Sequence, residues 1–154
     1  MPELIFNSPI GLLTLVETDS AITSLEWRKS GANQETTLLL LAKKELAQYF
    51  GGELKVFTAP LDPSGTAFQK RVWKTIMAIP YGEQRTYRDI ANILNSSPRA
   101  VGGACGRNPI PVIIPCHRVV GSNGGLTGYT AADGIETKSF LLKHEERQTC
   151  LLGL

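Results

Sequence analysis

Thr86-Tyr87-Arg88-Asp89-Ile90-Ala91-Asn92-Ile93-Leu94, then Asn95-Ser96, then Ser97-Pro98-Arg99-Ala100-Val101-Gly102-Gly103-Ala104-Cys105, is the stretch that decides the fold. It opens on a threonine with Asp89 three residues on, close to a capping box. After a turn at Asn95-Ser96 it restarts on a serine N-cap with proline at the first helical position. Two short helices joined by so tight a turn predict a helix-turn-helix. The second helix is chemically unusual. Gly102 and Gly103 each cost about 1 kcal/mol against alanine, and a helix that reads base edges in the major groove would carry long polar side chains. Two readings stay open: tight packing against a neighbouring helix, or close approach to a narrow minor groove with Arg99 as an inserted wedge.

Upstream, a helix is expected over about Thr66 to Ala78. Phe68, Val72, Ile76 and Ile79 mark its buried face, and Pro80 ends it. The first third predicts antiparallel strands at Leu4–Phe6, Leu12–Glu17 and Ile22–Trp27, separated by turn formers. A helix from Glu35 to Phe50 is stopped by Gly51-Gly52, and a short strand near Lys55–Phe57 could join the sheet. Pro60 to Gly65 looks like a linker, so the expected domains are residues 1–62 and 66–150 of an α/β (α+β) chain.

The 154 residues suit one ordinary domain or two small ones, and the balance of 42% apolar to 19% charged residues is globular. No apolar run approaches a membrane span and no secretion signal opens the chain, so the expectation is a soluble, membrane-free protein of the cytoplasm or nucleoid. Three cysteines, Cys105, Cys116 and Cys150, without a C-x-x-C pair fit neither a disulfide framework nor structural zinc. Between Thr66 and Tyr129 eight basic residues face two acids, an excess of +6; since the whole chain is +2, the remainder carries −4. That segment is either a phosphate-contacting surface or a solvated basic face.

The chemistry-bearing segment is Asn108-Pro109-Ile110-Pro111-Val112-Ile113-Ile114-Pro115-Cys116-His117-Arg118-Val119-Val120. Its prolines stiffen the backbone and fix where the cysteine sits. A lone cysteine on an apolar strand is ordinarily inert, but cations beside it, here His117 and Arg118, are expected to depress its pKa and enrich the thiolate. On an extended strand neighbouring side chains diverge, so His117 reaches the sulfur only if the chain bends or a water bridges them. An acid should then orient the imidazole. Leu141-Leu142-Lys143-His144-Glu145-Glu146, at the end of the last helix, offers candidates, although Glu145 also reads as an ordinary exposed helix-end carboxylate.

Pro115-Cys116-His117-Arg118-Val119 resembles the active-site signature of the O6-alkylguanine-DNA alkyltransferases. The likeness runs from about Phe68 to Glu146 through Arg99-Ala-Val-Gly-Gly-Ala, Asn108-Pro, Gly128-Tyr129 and Leu141-Leu-x-His-Glu. It implies a ribonuclease H-like N-terminal part, with an antiparallel sheet and one helix, and a C-terminal winged-helix-like helix-turn-helix part. It further implies irreversible transfer of an alkyl group from O6-alkylguanine in double-stranded DNA to Cys116, once per molecule and without a cofactor, with O4-alkylthymine left open as a second substrate. The damaged base would be flipped out from the minor-groove side.

The resemblance also assigns roles. Cys116 would accept the alkyl group, activated through Glu145, His117 and a water. Tyr87 would crowd the phosphate and donate to guanine N3, and Asn108 would brace the turn between the recognition helix and the active-site strand. The carbonyls of Cys116 and Val119 would receive the guanine amine, while Pro111, Tyr129 and Thr130 would line the pocket. Arg99, with Ala100, Gly102, Gly103, Arg88 and Ser122, would meet DNA. The zinc-binding residues of the vertebrate relatives are lacking, so no metal is expected. Related lesion-binding proteins carry tryptophan at the cysteine position, which puts this chain on the reactive side. A monomer is expected, with cooperative binding along DNA left open. Two rival classes remain: a helix-turn-helix regulator without chemistry, and a cysteine hydrolase, for which adjacent Cys-His is poor geometry.

Overall fold

The computed structural model describes residues 1–122, 125 and 134–151, the side chains of 150 and 151 excepted. The chain divides into two compact units, Met1–Ser64 and Gly65–Leu154.

In the first unit, strands β1 (Glu3–Ser8), β2 (Gly11–Thr18) and β3 (Ala21–Glu26) form an antiparallel sheet in sequence order. Leu4 faces Leu15 and Phe6 faces Leu13 across β1 and β2, so the alternation of the sequence becomes one apolar face. Helix α1 (Thr37–Phe50) covers it; Thr36 caps the helix by accepting from the Leu39 N–H. Leu13, Leu15, Ile22, Leu39, Ala42, Leu46 and Tyr49 are fully buried, and each of the larger aliphatic chains contributes roughly 1.5–3 kcal/mol.

The strand expected at Lys55–Phe57 does not form. Just beyond that segment, the buried Glu45 carboxylate accepts from the N–H groups of Thr58 and Ala59 and from the Thr58 hydroxyl, so a side chain rather than a ladder satisfies this backbone. The sheet instead gains a single parallel bridge between Ile22 and Leu61.

In the second unit, α2 (Ala67–Met77) starts in a complete Thr66/Gln69 capping box. Its buried face is Val72, Trp73 and Ile76, with Phe68 only half-buried. Trp73 donates its indole N–H to the Ala104 carbonyl, 2.9 Å away. A two-residue strand β4 (Arg85–Thr86) leads into α3 (Tyr87–Leu94), which is capped by Thr86 and Asp89 in a second complete box. Asn95, left-handed at φ +54°, closes α3, and Ser97 caps α4 (Pro98–Gly106). The helix pair therefore stands where the capping signals put it, and α4 packs on α2 and α3 through Val101, Ala104 and Cys105.

The cysteine is not on an extended strand. Cys116–Arg118 is a single 3-10 turn, followed by a two-residue strand β5 (Val119–Val120) paired in parallel with β4. The chain bends because successive tight turns carry it there: Ile114 N–H donates to Ile110 O, Cys116 N–H to Ile114 O and Arg118 N–H to Pro115 O. Val112, a β-branched residue at φ +73°, holds one of these bends. Such a conformation costs on the order of 1–3 kcal/mol and persists where surrounding structure over-determines it. Helix α5 (Gly134–Leu151) completes the unit, and Glu145 lies inside it rather than at its end. Among the described residues no helix is long and apolar enough to cross a membrane.

Candidate active site

The cysteine turn and α5 meet in a buried polar cluster. Residues 110–120 are all buried, with Cys116 2% exposed and His117 fully enclosed. On α5, Lys138, Leu141 and Glu145 stand at i, i+3 and i+7, one helical face, and all three are buried. Glu145 is therefore no surface carboxylate.

Glu145 organises the cluster. His117 Nε2 lies 2.6 Å from its Oε2, while Arg118 donates from Nε to Oε1 at 2.8 Å and from an Nη to Oε2 at 3.1 Å. The Gly82 N–H points at Oε1 from 3.4 Å. Burial alone would raise the Glu145 carboxyl, but the His117 imidazole and Arg118 guanidinium outweigh it and hold the carboxyl well below the usual carboxylate range. An ionised Glu145 fixes the imidazole tautomer: Nε2 carries the proton and donates, leaving Nδ1 as the basic nitrogen. Nδ1 is buried and has no hydrogen-bond partner among the described residues. Burial pushes the His117 pKa down, with Arg118 and Lys138 adding to the effect against Glu145. His117 is a neutral base.

The expectation of a cation-depressed thiol is corrected. Arg118 is committed to Glu145 and His117 is uncharged, so neither stabilises a thiolate. The Cys116 thiol is pushed well up, by a hydrogen bond with Cys105 and then by burial, against the opposing pull of Asn108 and Lys138. At rest Cys116 is a neutral thiol. The surface charge excess of this segment also shrinks, because Arg118 is buried and paired and Arg85 is bridged to Glu83.

Asn108 braces the loop in detail. Its side-chain N–H group donates to the Ile114 carbonyl at 2.9 Å and to Cys116 Sγ at 3.3 Å, while its oxygen receives the Ile110 N–H. Tyr87 is buried, and its hydroxyl accepts from Lys138 Nζ at 3.2 Å; the same ammonium sits 5.4 Å from the ring centre. Pro111 and Val119 are buried close by in sequence, and the Cys116 carbonyl already accepts from the Val119 N–H. Tyr129 and Thr130 lie outside the described residues.

Arg99, Arg88, Ser122 and Gly103 are exposed, and Ala100 and Gly102 half-buried. A methyl group added at Gly103 would meet nothing within 4 Å, and one at Gly102 only the edge of the Tyr87 ring, at 4.0 Å. The protein therefore gives up about 1 kcal/mol of helix stability per glycine without close packing among the described residues in return.

Sequence reasoning missed three participants. Lys138 could have been found from its seven-residue spacing to Glu145. In the sequence Arg118 stands out only as a charge, and Cys105 only in the cysteine count. No sequence signal distinguishes a buried arginine from a surface one at that position.

The sequence model of the 6-O-methylguanine DNA methyltransferase DNA-binding domain matches residues 67–147, and that of the same family's ribonuclease-like domain matches residues 3–63. The chain belongs to this methyltransferase family. A constitutive methylated-DNA–protein-cysteine methyltransferase of Bacillus subtilis is 44% identical, covering 90% of this chain and 92% of its own. The Methanosarcina acetivorans protein of the same description is 46% identical, over 92% and 96%. The solved structure of Mycobacterium tuberculosis OGT in complex with DNA superposes with a TM-score of 0.86 at 42% identity, covering 96% of this chain and 94% of that one. The mixed α/β architecture, with a ribonuclease-like part ahead of a helical DNA-binding part, is thus the family's own.

Proposed function

We propose that the chain repairs double-stranded DNA directly, moving the alkyl group of O6-alkylguanine onto Cys116 in a single irreversible event. The observation that carries the reading is the enclosed His117, next to Cys116 in sequence, whose Nε2 is committed to Glu145 while Nδ1 is left basic and without a partner among the described residues. One water between Nδ1 and the thiol would complete a proton path, since a buried polar atom of this kind calls for such a partner.

The Cys116 proton passes through the water to His117 Nδ1, and the sulfur attacks the alkyl carbon along the axis of the C–O6 bond. That bond breaks with its electron pair going to the purine. Tyr87, backed by the Lys138 ammonium, donates a hydrogen bond to N3 and stabilises the departing base. A thioether is left on Cys116 and cannot serve again. Because ionisation accompanies the reaction, the resting thiol need not be acidic; a soft nucleophile is released only when the base is in place.

With Cys116 almost fully enclosed, the lesion must leave the duplex to reach it, at a cost of a few kcal/mol of stacking. Arg99 on the exposed face of α4 would fill the gap, with Ala100, Gly102 and Gly103 letting the helix lie in the minor groove and Arg88 and Ser122 meeting phosphates. The carbonyls of Cys116 and Val119 would hold the guanine amine, and Pro111, Tyr129 and Thr130 would line the pocket. The protein would act as a monomer on intracellular DNA.

Intact mass after incubation with duplex DNA bearing O6-methylguanine tests this. The expected gain is one CH2 unit located on Cys116 and absent in Cys116→Ser. An unchanged mass with retained DNA binding would favour a regulator, and multiple turnover on an acyl substrate a hydrolase; either defeats the proposal.

A further inference from the structure

We propose that Arg118 is a positioning residue that keeps His117 an unprotonated base, by neutralising the carboxylate that would otherwise hold a second proton on the imidazole. The inference rests on the proton path described above. Arg118 is 6% exposed, and each of its three guanidinium nitrogens donates a hydrogen bond: Nε and one Nη to the two oxygens of Glu145, the other Nη to the Ile79 carbonyl at 2.8 Å. The Tyr81 ring lies 5.6 Å from the guanidinium carbon. The guanidinium is thus held from the Ile79 and Tyr81 side and grips the carboxylate in the two-pronged geometry that fixes orientation as well as charge.

The electrostatic consequence follows from counting what faces His117. From α5 come Glu145 and Lys138; from its own turn, Arg118 and Cys116; and Tyr81 stands against Arg118 and Glu145. Glu145 is the group in this set that favours an imidazolium, and both cations oppose it. Arg118 and Glu145 together are neutral, so His117 rests without charge and can accept the thiol proton. Without the guanidinium, the carboxylate 2.6 Å from Nε2 would lose that opposing charge in a buried site. There an opposite charge acts through a low dielectric and strongly favours the protonated ring. Removing Arg118 therefore raises the His117 pKa, and the base form appears only at higher pH.

The test is single-turnover methyl transfer from O6-methylguanine duplex, followed across pH for the wild type, Arg118→Gln and Arg118→Lys. For Arg118→Gln we expect a loss of about tenfold or more near neutral pH, with the acid limb moved up by about one unit or more and most of the rate regained at alkaline pH. Arg118→Lys keeps the charge but not the fork, so its limb should stay near that of the wild type with a slower plateau. A residue that merely props the fold would lower the rate equally at every pH; a folded Arg118→Gln with an unmoved acid limb overturns the inference. The ring-nitrogen NMR of His117 in the wild type decides independently of any variant's folding. A neutral ring protonated at Nε2 is expected at neutral pH, and an imidazolium there also overturns it. If the wild type takes no methyl group at all, it is the proposed reaction that fails, while the ring titration still reads the effect of Arg118 on His117.

Discussion

The two functional regions of the second unit are built in opposite ways. Around Glu145 the one buried side-chain polar atom left without a partner among the described residues is His117 Nδ1: the carboxylate accepts from His117, both prongs of Arg118 and the Gly82 N–H, and Arg118 also donates to the Ile79 carbonyl. The outer face of α4 is the reverse, with an exposed Arg99 and a glycine whose added methyl group would touch nothing. One region is over-determined by the protein; the other is left open. Proton transfer needs fixed geometry to about the length of a hydrogen bond, whereas docking on a groove needs clearance.

That contrast predicts where mutations hurt stability and where they hurt only function. The largest effect should come from Glu145→Gln. It leaves the Arg118 charge buried without a counter-charge, a loss of about 3–5 kcal/mol in urea unfolding, and it removes methyl transfer together with the base tautomer. The sign of the pH dependence can be checked as well. The Glu145 carboxyl titrates lower when folded than when unfolded, so its stabilisation is present above the ordinary carboxylate range, near about pH 4, and is lost as pH falls through the folded value. In Glu145→Gln this acid-side loss should flatten. A variant that unfolds like the wild type at neutral pH would mean the cluster is not the rigid element described here.

The same contrast explains what could be read from the chain before its structure. Capping residues act locally, so Thr86 and Ser97, read as N-caps in the sequence, mark helix starts that the fold keeps. The α4 face was legible too, because small residues and a lone arginine on a helix are visible without knowing what packs behind them. The cluster was not. Cys116, His117 and Glu145 are named through a family resemblance, but the 3-10 bend at Cys116–Arg118 depends on turns formed by Ile110, Ile114 and Pro115. The neutrality of the cysteine depends on Cys105 and on the burial that long-range packing gives it. The strand expected at Lys55–Phe57 failed for a related reason: the distant Glu45 side chain took up the backbone just beyond it.

On the open face the effects should be smaller and confined to DNA. Arg99→Ala is expected to leave stability within about half a kcal/mol, as for an ordinary surface change. Repair of duplex substrate should slow by roughly ten- to a hundredfold, since a wedge offsets a few kcal/mol of unstacking, while transfer from the free base O6-methylguanine is spared. Equal slowing on both substrates would remove the wedge role and leave Arg99 a general contributor.

Gly103→Ala gives the smallest change and the sharpest contrast of sign. With open space around the added methyl, the variant should be more stable by up to about 1 kcal/mol, the ordinary helix preference for alanine. Its affinity for duplex DNA should nevertheless fall a few-fold, and Gly103→Leu should weaken it further without destabilising the fold. The two measurements, thermal unfolding and duplex binding at fixed salt, must move in opposite directions. If both variants bind as the wild type does, α4 does not lie close in a groove, and its glycines have neither an internal nor an external reason to be there.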